Sequence, residues 1–143
     1  VDPRAHEFGD VPCGVDVRVT SDWAGVLDTA LPGAVVLVLT PSHTLDALIV
    51  EAALLHPGLA YVGLIGSRAK RVRFEKSLAE VGVLPEQLAA LVCPIGDRGV
   101  RDKRPEVIAA LVAAEVVEKL LHPPPRQQSI TTQADDPPLA LQG

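Results

Sequence analysis

The stretch AYVGLIGSRAKRVRF, residues 60–74, decides the predicted fold because it changes from strand-like to helix-like sequence beside two glycines. Residues 60–66 form a short apolar run, which is typical of a strand buried on both faces of a parallel sheet. Residues 67–82 predict a helix, with Ser67 as its N-cap and Gly82 as its end. A buried strand that leads directly into a helix is half of a β-α-β unit, so this stretch predicts a parallel sheet.

The segments before this stretch repeat the same alternation. Residues 34–40, AVVLVLT, predict a second buried strand, and a helix should follow from about Thr44 to Leu55. Earlier still, residues 15–19 predict a strand and residues 21–31 a helix with Ser21 as its N-cap. The fold class predicted from this order is α/β, a Rossmann-like three-layer domain with a mostly parallel sheet.

The sequence after Gly82 is less regular. Residues 85–92 predict a short helix, and residues 93–96, CPIG, a short strand or turn. The last helix, residues 104–121, is apolar around nearly its whole circumference, so we expect it to be mostly buried. Residues 123–143 are rich in proline and have no period, which predicts a flexible tail after a domain at 1–122.

The first residues, VDPR, predict the end of a strand with Asp2 at its tip. In a dinucleotide-binding fold, an acidic residue at the tip of the second strand hydrogen-bonds a ribose. None of the eleven glycines belongs to a GxGxxG sequence. We therefore expect a partial domain that lacks its first strand, GxGxxG turn and first helix, which would lie upstream of residue 1.

Composition limits the class of protein. A chain of 143 residues that is 48% hydrophobic predicts one compact domain. The net charge of -5 argues against nucleic acid as the main partner, yet nine of the 13 lysines and arginines lie in residues 67–104. An anion-binding surface is therefore expected in that region.

The cellular compartment predicted from the sequence is the cytoplasm. No apolar run is long enough for a membrane span, and the first residues have no signal-peptide character. Cys13 and Cys93 stand far apart without metal-ligand spacing, so they suggest neither a zinc site nor a disulfide framework.

The segment GLIGSRAKR has the chemistry of an anion site. Gly63 and Gly66 allow the backbone to turn tightly and to approach a ligand, and the following helix start offers unpaired amides. Arg68 adds a full positive charge that can grip a phosphate, as can the two cations that follow at positions 70 and 71. Phosphate contact is predicted for Gly66, Ser67 and Arg68.

The alternative for these cations is an ordinary solvated helix face. Arg71 and Glu75 have the i,i+4 spacing of a surface ion pair. Lys70, Arg73 and Lys76 are accordingly expected at the surface.

A second candidate segment is LTPSHTLD, residues 39–46. Thr40 and Ser42 could donate hydrogen bonds to a ligand, and His43 with Asp46 could form an acid/base pair. Against this, Ser42 and Asp46 are also residues that a helix start commonly uses.

The third candidate segment is CPIGDRG, residues 93–99, in which Gly96 flanks a bend. Cys93 is expected to be a packed thiol. No Ser-His-Asp spacing, HExxH pattern or Walker lysine occurs, so neither a catalytic residue nor a metal ligand is assigned.

Together these residues resemble a known family. YVGLIGSRAKRVRFEKSLAEVGV (61–83), LVCPIG (91–96) and the KRPEVIAALVAAEVV helix (103–117) are similar to the C-terminal domain of xanthine dehydrogenase accessory proteins, the XdhC-like or CoxF-like family. TPSHTLD and VDPR also fall at positions that match the family, so the likeness spans residues 1–121. It implies a Rossmann-like chaperone, commonly dimeric, that binds molybdenum cofactor (molybdopterin), protects it during sulfuration and passes it to a molybdenum hydroxylase.

The chain departs from the family pattern in three places. Pro41 stands where the family loop usually has histidine after Thr40, and Arg104 stands where an acid is common. The N-terminal domain of the family, with its cofactor-associated cysteine, and the first βα unit are not part of this sequence.

The cofactor-binding residues predicted in this way share a position at a strand end or a glycine turn: Asp2, Thr40, Ser42, His43, Gly63, Gly66, Ser67, Arg68 and Gly96. One alternative is an NAD(P)-dependent oxidoreductase in which Asp2 binds the ribose and the residues 66–68 bind a phosphate. Another is a non-catalytic interaction module completed by another chain. A homodimer, or a companion chain that supplies the first strand, is the expected assembly.

Overall fold

The sheet is parallel, as the sequence predicts. The structure is a computed structural model that describes residues 1–4 and 9–122. Within these residues the sheet has three strands in the order β1-β2-β3, namely β1 (Val35–Val38), β2 (Tyr61–Leu64) and β3 (Leu91–Val92). All pairing is parallel. The predicted α/β class, a Rossmann-like domain, is confirmed.

Helices connect the strands and cover both faces of the sheet. Over the described ranges they are α1 (Trp23–Asp28), α2 (His43–Leu55), α3 (Arg68–Glu80), α4 (Pro85–Leu88) and α5 (Pro105–Leu121). The predicted N-caps of α2 and α3 are confirmed: Ser42 Oγ accepts from the amide of Leu45 at 3.3 Å, and Ser67 Oγ accepts from the amide of Lys70 at 3.2 Å. Each cap satisfies an amide that has no partner within its own helix.

Alternate strand residues face two separate cores. Val38, Leu64 and other residues of the larger cluster pack against α1 to α4. On the opposite face, Tyr61 and Ile95 pack with Val112 of α5. This period of two follows from strand geometry and places a helical layer on each side of the sheet.

Two predictions near the beginning of the chain are wrong. α1 is capped by Asp22, whose Oδ1 accepts from the amide of Gly25 at 3.0 Å, and not by Ser21. Residues 15–19 do not form a strand, since Val19 makes only an isolated parallel bridge with Asp2. The amide of Arg4, which could extend this pairing beyond Thr20, donates instead to Asp2 Oδ1 at 2.9 Å.

Two predictions in the second half are also wrong. The helix expected over 85–92 ends at Leu88, because Leu91 pairs with Val62 and becomes buried in β3. The last helix is not mostly buried: of the α5 residues, all of which the structure describes, Val112 is buried and much of the apolar remainder is exposed. α5 contacts the sheet through one stripe of side chains, so its other sides face solvent.

The predicted tail, residues 123–143, lies outside the described residues. Among the residues that are described, no helix has the length and apolar character needed to cross a membrane.

Candidate functional site

Two segments that follow neighbouring parallel strands form the candidate site. The first follows β1 and leads into α2, and the second follows β2 and leads into α3. Parallel strands present their carboxyl ends at the same edge of a sheet, which is where ligands of such folds bind. The predicted site residues brought to this edge are Thr40, Ser42, His43, Gly66, Ser67 and Arg68.

A buried ion pair joins the two segments. Lys70 Nζ lies 2.6 Å from Asp46 Oδ2, and the two side chains are 8% and 0% exposed. Lys70 Nζ also donates to the carbonyl oxygen of Ile65 at 3.0 Å, while Thr40 Oγ1 donates to Asp46 Oδ1 at 2.8 Å. The segment after β1 is therefore tied to the segment after β2 through side chains in the interior.

This pair corrects two predictions. Lys70 is not a surface cation, and its charge is neutralised by Asp46 instead of being directed at a ligand. Asp46 is fully buried and bonded to Thr40 and Lys70, so the predicted acid/base pair with His43 is not formed. His43 itself is exposed and lines a groove of about 230 Å³ between α2 and α3.

Gly66 is required by the path of the lysine side chain. A Cβ at Gly66 would lie 2.6 Å from Lys70 Cδ, which is closer than carbon atoms pack. The absence of a side chain lets the aliphatic stem of Lys70 cross the backbone on its way to Asp46. Gly66 also lines a second cavity, of about 220 Å³, with Ile95, Gly96 and Asp97.

Arg68 is the cation that remains accessible at the start of α3. Its side chain is 87% exposed, and Nη2 lies 3.1 Å from Asp97 Oδ2. An exposed pair of this kind contributes little free energy, so an anionic ligand can replace the carboxylate at small cost. Arg71, in contrast, donates to the carbonyl oxygen of Leu91 at 2.6 Å and forms the predicted pair with Glu75 at 2.8 Å.

A family model described as XdhC Rossmann domain matches residues 1–116 of the chain. The chain belongs to this family. The resemblance found in the sequence is thereby confirmed, and membership is consistent with an accessory role in xanthine dehydrogenase maturation and with a partner related to that enzyme. None of the curated proteins matches the chain.

Two of the glycines in this XdhC-family domain have packing roles. A Cβ at Gly63, in the middle of β2, would lie 2.5 Å from Tyr61 Cε1 and 2.6 Å from Ile95 Cγ2, so Gly63 has a packing role, and its predicted ligand contact stays a prediction. Gly96 has φ +69°, and a Cβ there would lie 3.1 Å from Val112 Cγ2. Gly96 remains beside the strand-end cavity, which it lines.

Asp2 is separated from the three-stranded sheet of this XdhC-family domain and already has a cationic partner. Its carboxylate accepts from the amide, Nε and Nη2 of Arg4, at 2.9, 2.9 and 2.7 Å. The side-chain hydrogen bond from Arg4, followed by the bond from the Arg4 amide, lowers the pKa of Asp2 to about 2. A ribose would have to share this carboxylate with Arg4.

Sequence reasoning missed the polar contact that holds α5. Tyr61 Oη donates to Glu115 Oε1, and Glu115 Oε2 accepts from the amide of Gly96 at 3.1 Å. These residues are 54 and 19 positions apart in the sequence, so no local pattern could reveal the contact. Cys93 is buried, and burial raises the pKa of its thiol, in agreement with the packed thiol that the sequence predicts.

Proposed function

We propose that this chain binds molybdenum cofactor at the carboxyl ends of β1 and β2 and passes it to a xanthine dehydrogenase-type molybdenum hydroxylase. The cofactor is cargo in this proposal, and the chain acts as a chaperone in the cytoplasm. The observation that carries the proposal is the family match over residues 1–116. The exposed guanidinium of Arg68, at the first residue of α3, also supports the proposal, because it could bind an anionic group of the cofactor.

The residues at this edge fit the phosphate of molybdopterin. Ser67 Oγ already accepts from the amide of Lys70, but the amides of Arg68 and Ala69 have no carbonyl partner within α3, and the helix dipole favours an anion there. Arg68 supplies a planar cation that can bond two phosphate oxygens once it leaves Asp97. Thr40, Ser42 and His43 follow the neighbouring strand and are proposed to contact the same ligand.

The proposal is tested by titrating molybdopterin into the protein under anaerobic conditions. Arg68→Ala should weaken binding by about 1.5 to 3 kcal/mol, because a charged hydrogen bond to the phosphate is lost. Lys76→Ala is the matched control, since Lys76 is an exposed cation of the same helix. Equal affinities for the wild-type chain and Arg68→Ala would contradict the proposed phosphate site at the start of α3.

The same titration with NAD(P)H tests the oxidoreductase alternative. That alternative assigns the ribose to Asp2, whose carboxylate is bonded to Arg4 in this structure. Tight binding of NAD(P)H, weakened by Asp2→Asn, would favour the oxidoreductase over the chaperone.

The free edge of β1 supports a proposal about assembly. In the described part of the chain β1 pairs with β2 alone, and Leu37 and Leu39 at this strand are 38% and 57% exposed. An unpaired edge with apolar side chains favours addition of another strand. We propose that a second copy or a companion chain pairs there, and native mass spectrometry of the purified protein measures the stoichiometry. A monomer at every concentration, without a companion, would contradict this part of the proposal.

A further inference from the structure

The buried pair of Asp46 and Lys70 occupies positions where an apolar pair would be expected. Lys70 lies on the same helical stripe as Phe74 and Leu78, and Asp46 on the same stripe as Val50. Each charge loses its hydration in such a place, and an apolar pair of similar volume is often at least as stabilising. Stability alone therefore gives no reason for two charges at these positions.

The charged pair makes contacts that an apolar pair could not make. Asp46 Oδ1 accepts from both the amide and the hydroxyl of Thr40, at 3.2 and 2.8 Å, while Oδ2 accepts from Lys70. Lys70 Nζ donates a second bond, to the carbonyl oxygen of Ile65, one residue before Gly66. The amide of Lys70 is also the one that Ser67 Oγ caps.

These bonds connect the two segments that carry the candidate ligand contacts. Thr40 belongs to the segment after β1, and Ile65 belongs to the segment after β2. Apolar residues at both positions would fill the space but leave the amide of Thr40 and the carbonyl oxygen of Ile65 without these partners. The two segments are then held by the pairing of β1 with β2 and by the packing of α2 and α3, without a direct side-chain link between them.

We propose that Asp46 and Lys70 are positioning residues, which hold the segments after β1 and β2 at the spacing that the ligand requires. The proposal rests on the function proposed above. Neither side chain is assigned a contact with the ligand, because both are buried and each uses its charge on the other. The positive charge that meets the ligand comes from Arg68.

The test replaces the pair by uncharged residues and compares stability with affinity. Lys70→Met alone would leave a buried carboxylate without its partner, so the double variant Asp46→Val/Lys70→Met is the informative protein. We expect it to unfold at a denaturant concentration close to that of the wild-type chain. Its affinity for molybdopterin should fall by about tenfold or more, since small displacements of positioning groups have effects of this size.

Two further measurements separate positioning from packing. Hydrogen exchange of the Thr40 amide should become faster in Asp46→Val/Lys70→Met, where its acceptor is lost. It should stay slow in the isosteric Asp46→Asn/Lys70→Met, because the amide oxygen of the substituted side chain can still accept that bond. The second variant should still bind weakly, since the bond from position 70 to Ile65 is absent. If Asp46→Val/Lys70→Met does not fold, the affinity of Asp46→Asn/Lys70→Met for molybdopterin tests the proposal in its place.

Arg71→Met is the matched control. Arg71 is on the same helix and loses bonds to Leu91 and Glu75 on substitution, but it does not connect the two segments. Its affinity for molybdopterin should stay within about twofold of wild type. Wild-type affinity in a folded double variant would overturn the proposal while the function proposed above stands. A wild-type chain that does not bind, or that is insensitive to Arg68→Ala, would overturn that function instead.

Discussion

The two faces of the sheet differ in how their cores are built. On the face covered by α1 to α4, twelve buried residues form one cluster, and the polar groups within it, Asp46 and Lys70, are almost completely enclosed. On the face covered by α5, the described residues form a cluster of three buried side chains, Tyr61, Ile95 and Val112. The polar contact there, between Tyr61 and Glu115, is only partly buried.

The difference teaches that an apolar sequence is not sufficient for burial. α5 has more apolar character than α3, yet only one residue of α5 is buried whereas α3 buries three, including a lysine. Contact between elements determines burial, and α5 contacts the sheet along one stripe. We therefore expect substitutions on the α2 and α3 face to affect stability more than equivalent ones on the α5 face.

The largest effect is expected for Lys70→Met. Removal of one partner leaves the buried Asp46 carboxylate uncompensated, which should lower the free energy of unfolding by about 3–5 kcal/mol. Chemical denaturation measures the loss. Arg73→Met, an exposed cation of the same helix, should change stability by less than about 0.5 kcal/mol. A loss for Lys70→Met below about 1 kcal/mol, the range of exposed pairs, would mean that the pair is solvated or readily rearranged.

A matched pair of valines compares the two faces directly. Val50 on α2 is 0% exposed, and Val112 on α5 is 8% exposed. Val50→Ala should cost about 2–3 kcal/mol and Val112→Ala about 1–2 kcal/mol, because the enclosed site cannot relax around the cavity as readily. Equal losses in denaturant titrations would show that the α5 face is as tightly packed as the other.

The α5 face should also lose stability at alkaline pH. Burial, followed by the hydrogen bond to Glu115, raises the pKa of Tyr61 far above its ordinary value. The folded state therefore favours the protonated phenol. The contribution of this phenol to the free energy of unfolding is complete below about pH 10 and is lost as the pH rises above that value. Tyr61 is the single tyrosine of the chain, so Tyr61→Phe should remove this loss of stability at alkaline pH. Identical pH profiles for both proteins would contradict the assignment.

The smallest stability effect is expected at Arg68, the cation proposed to contact the ligand. Arg68→Ala breaks an exposed pair with Asp97 and should change the free energy of unfolding by less than about 0.5 kcal/mol. Denaturation of this variant beside Lys70→Met compares two cations that are two positions apart in one helix. A large loss for Arg68→Ala would show that Arg68 supports the fold, and its use as a ligand contact would then need separate evidence.

Much of the local structure could be predicted from the sequence. The apolar runs before Thr40 and Gly66 became β1 and β2, and Ser42 and Ser67 became the N-caps of the following helices. These features depend on neighbouring residues, so short patterns contain the information. The isolated bridge at Val19 was not predictable, because it depends on pairing with Asp2, which is distant in the sequence.

The candidate site was only partly predictable. Its location at the strand ends and the exposure of Arg68 follow from the order of strands and helices. The role of Lys70 was missed, although a signal was present: Lys70, Phe74 and Leu78 are spaced i, i+4, i+8, the period of a buried helical face. A charged residue at the first position of such a stripe indicates a buried partner elsewhere in the chain.

The sequence by itself determined the parallel strand and helix alternation, the caps of α2 and α3, and membership of the XdhC family, because each depends on local order and spacing. Tertiary structure decided which charges are buried and which stay exposed at the strand ends. Asp46 and Lys70 are 24 positions apart, and they meet only when two helices pack side by side on the same face of the sheet. Burial and pairing of charges are properties of that packing, so no segment of the chain encodes them alone.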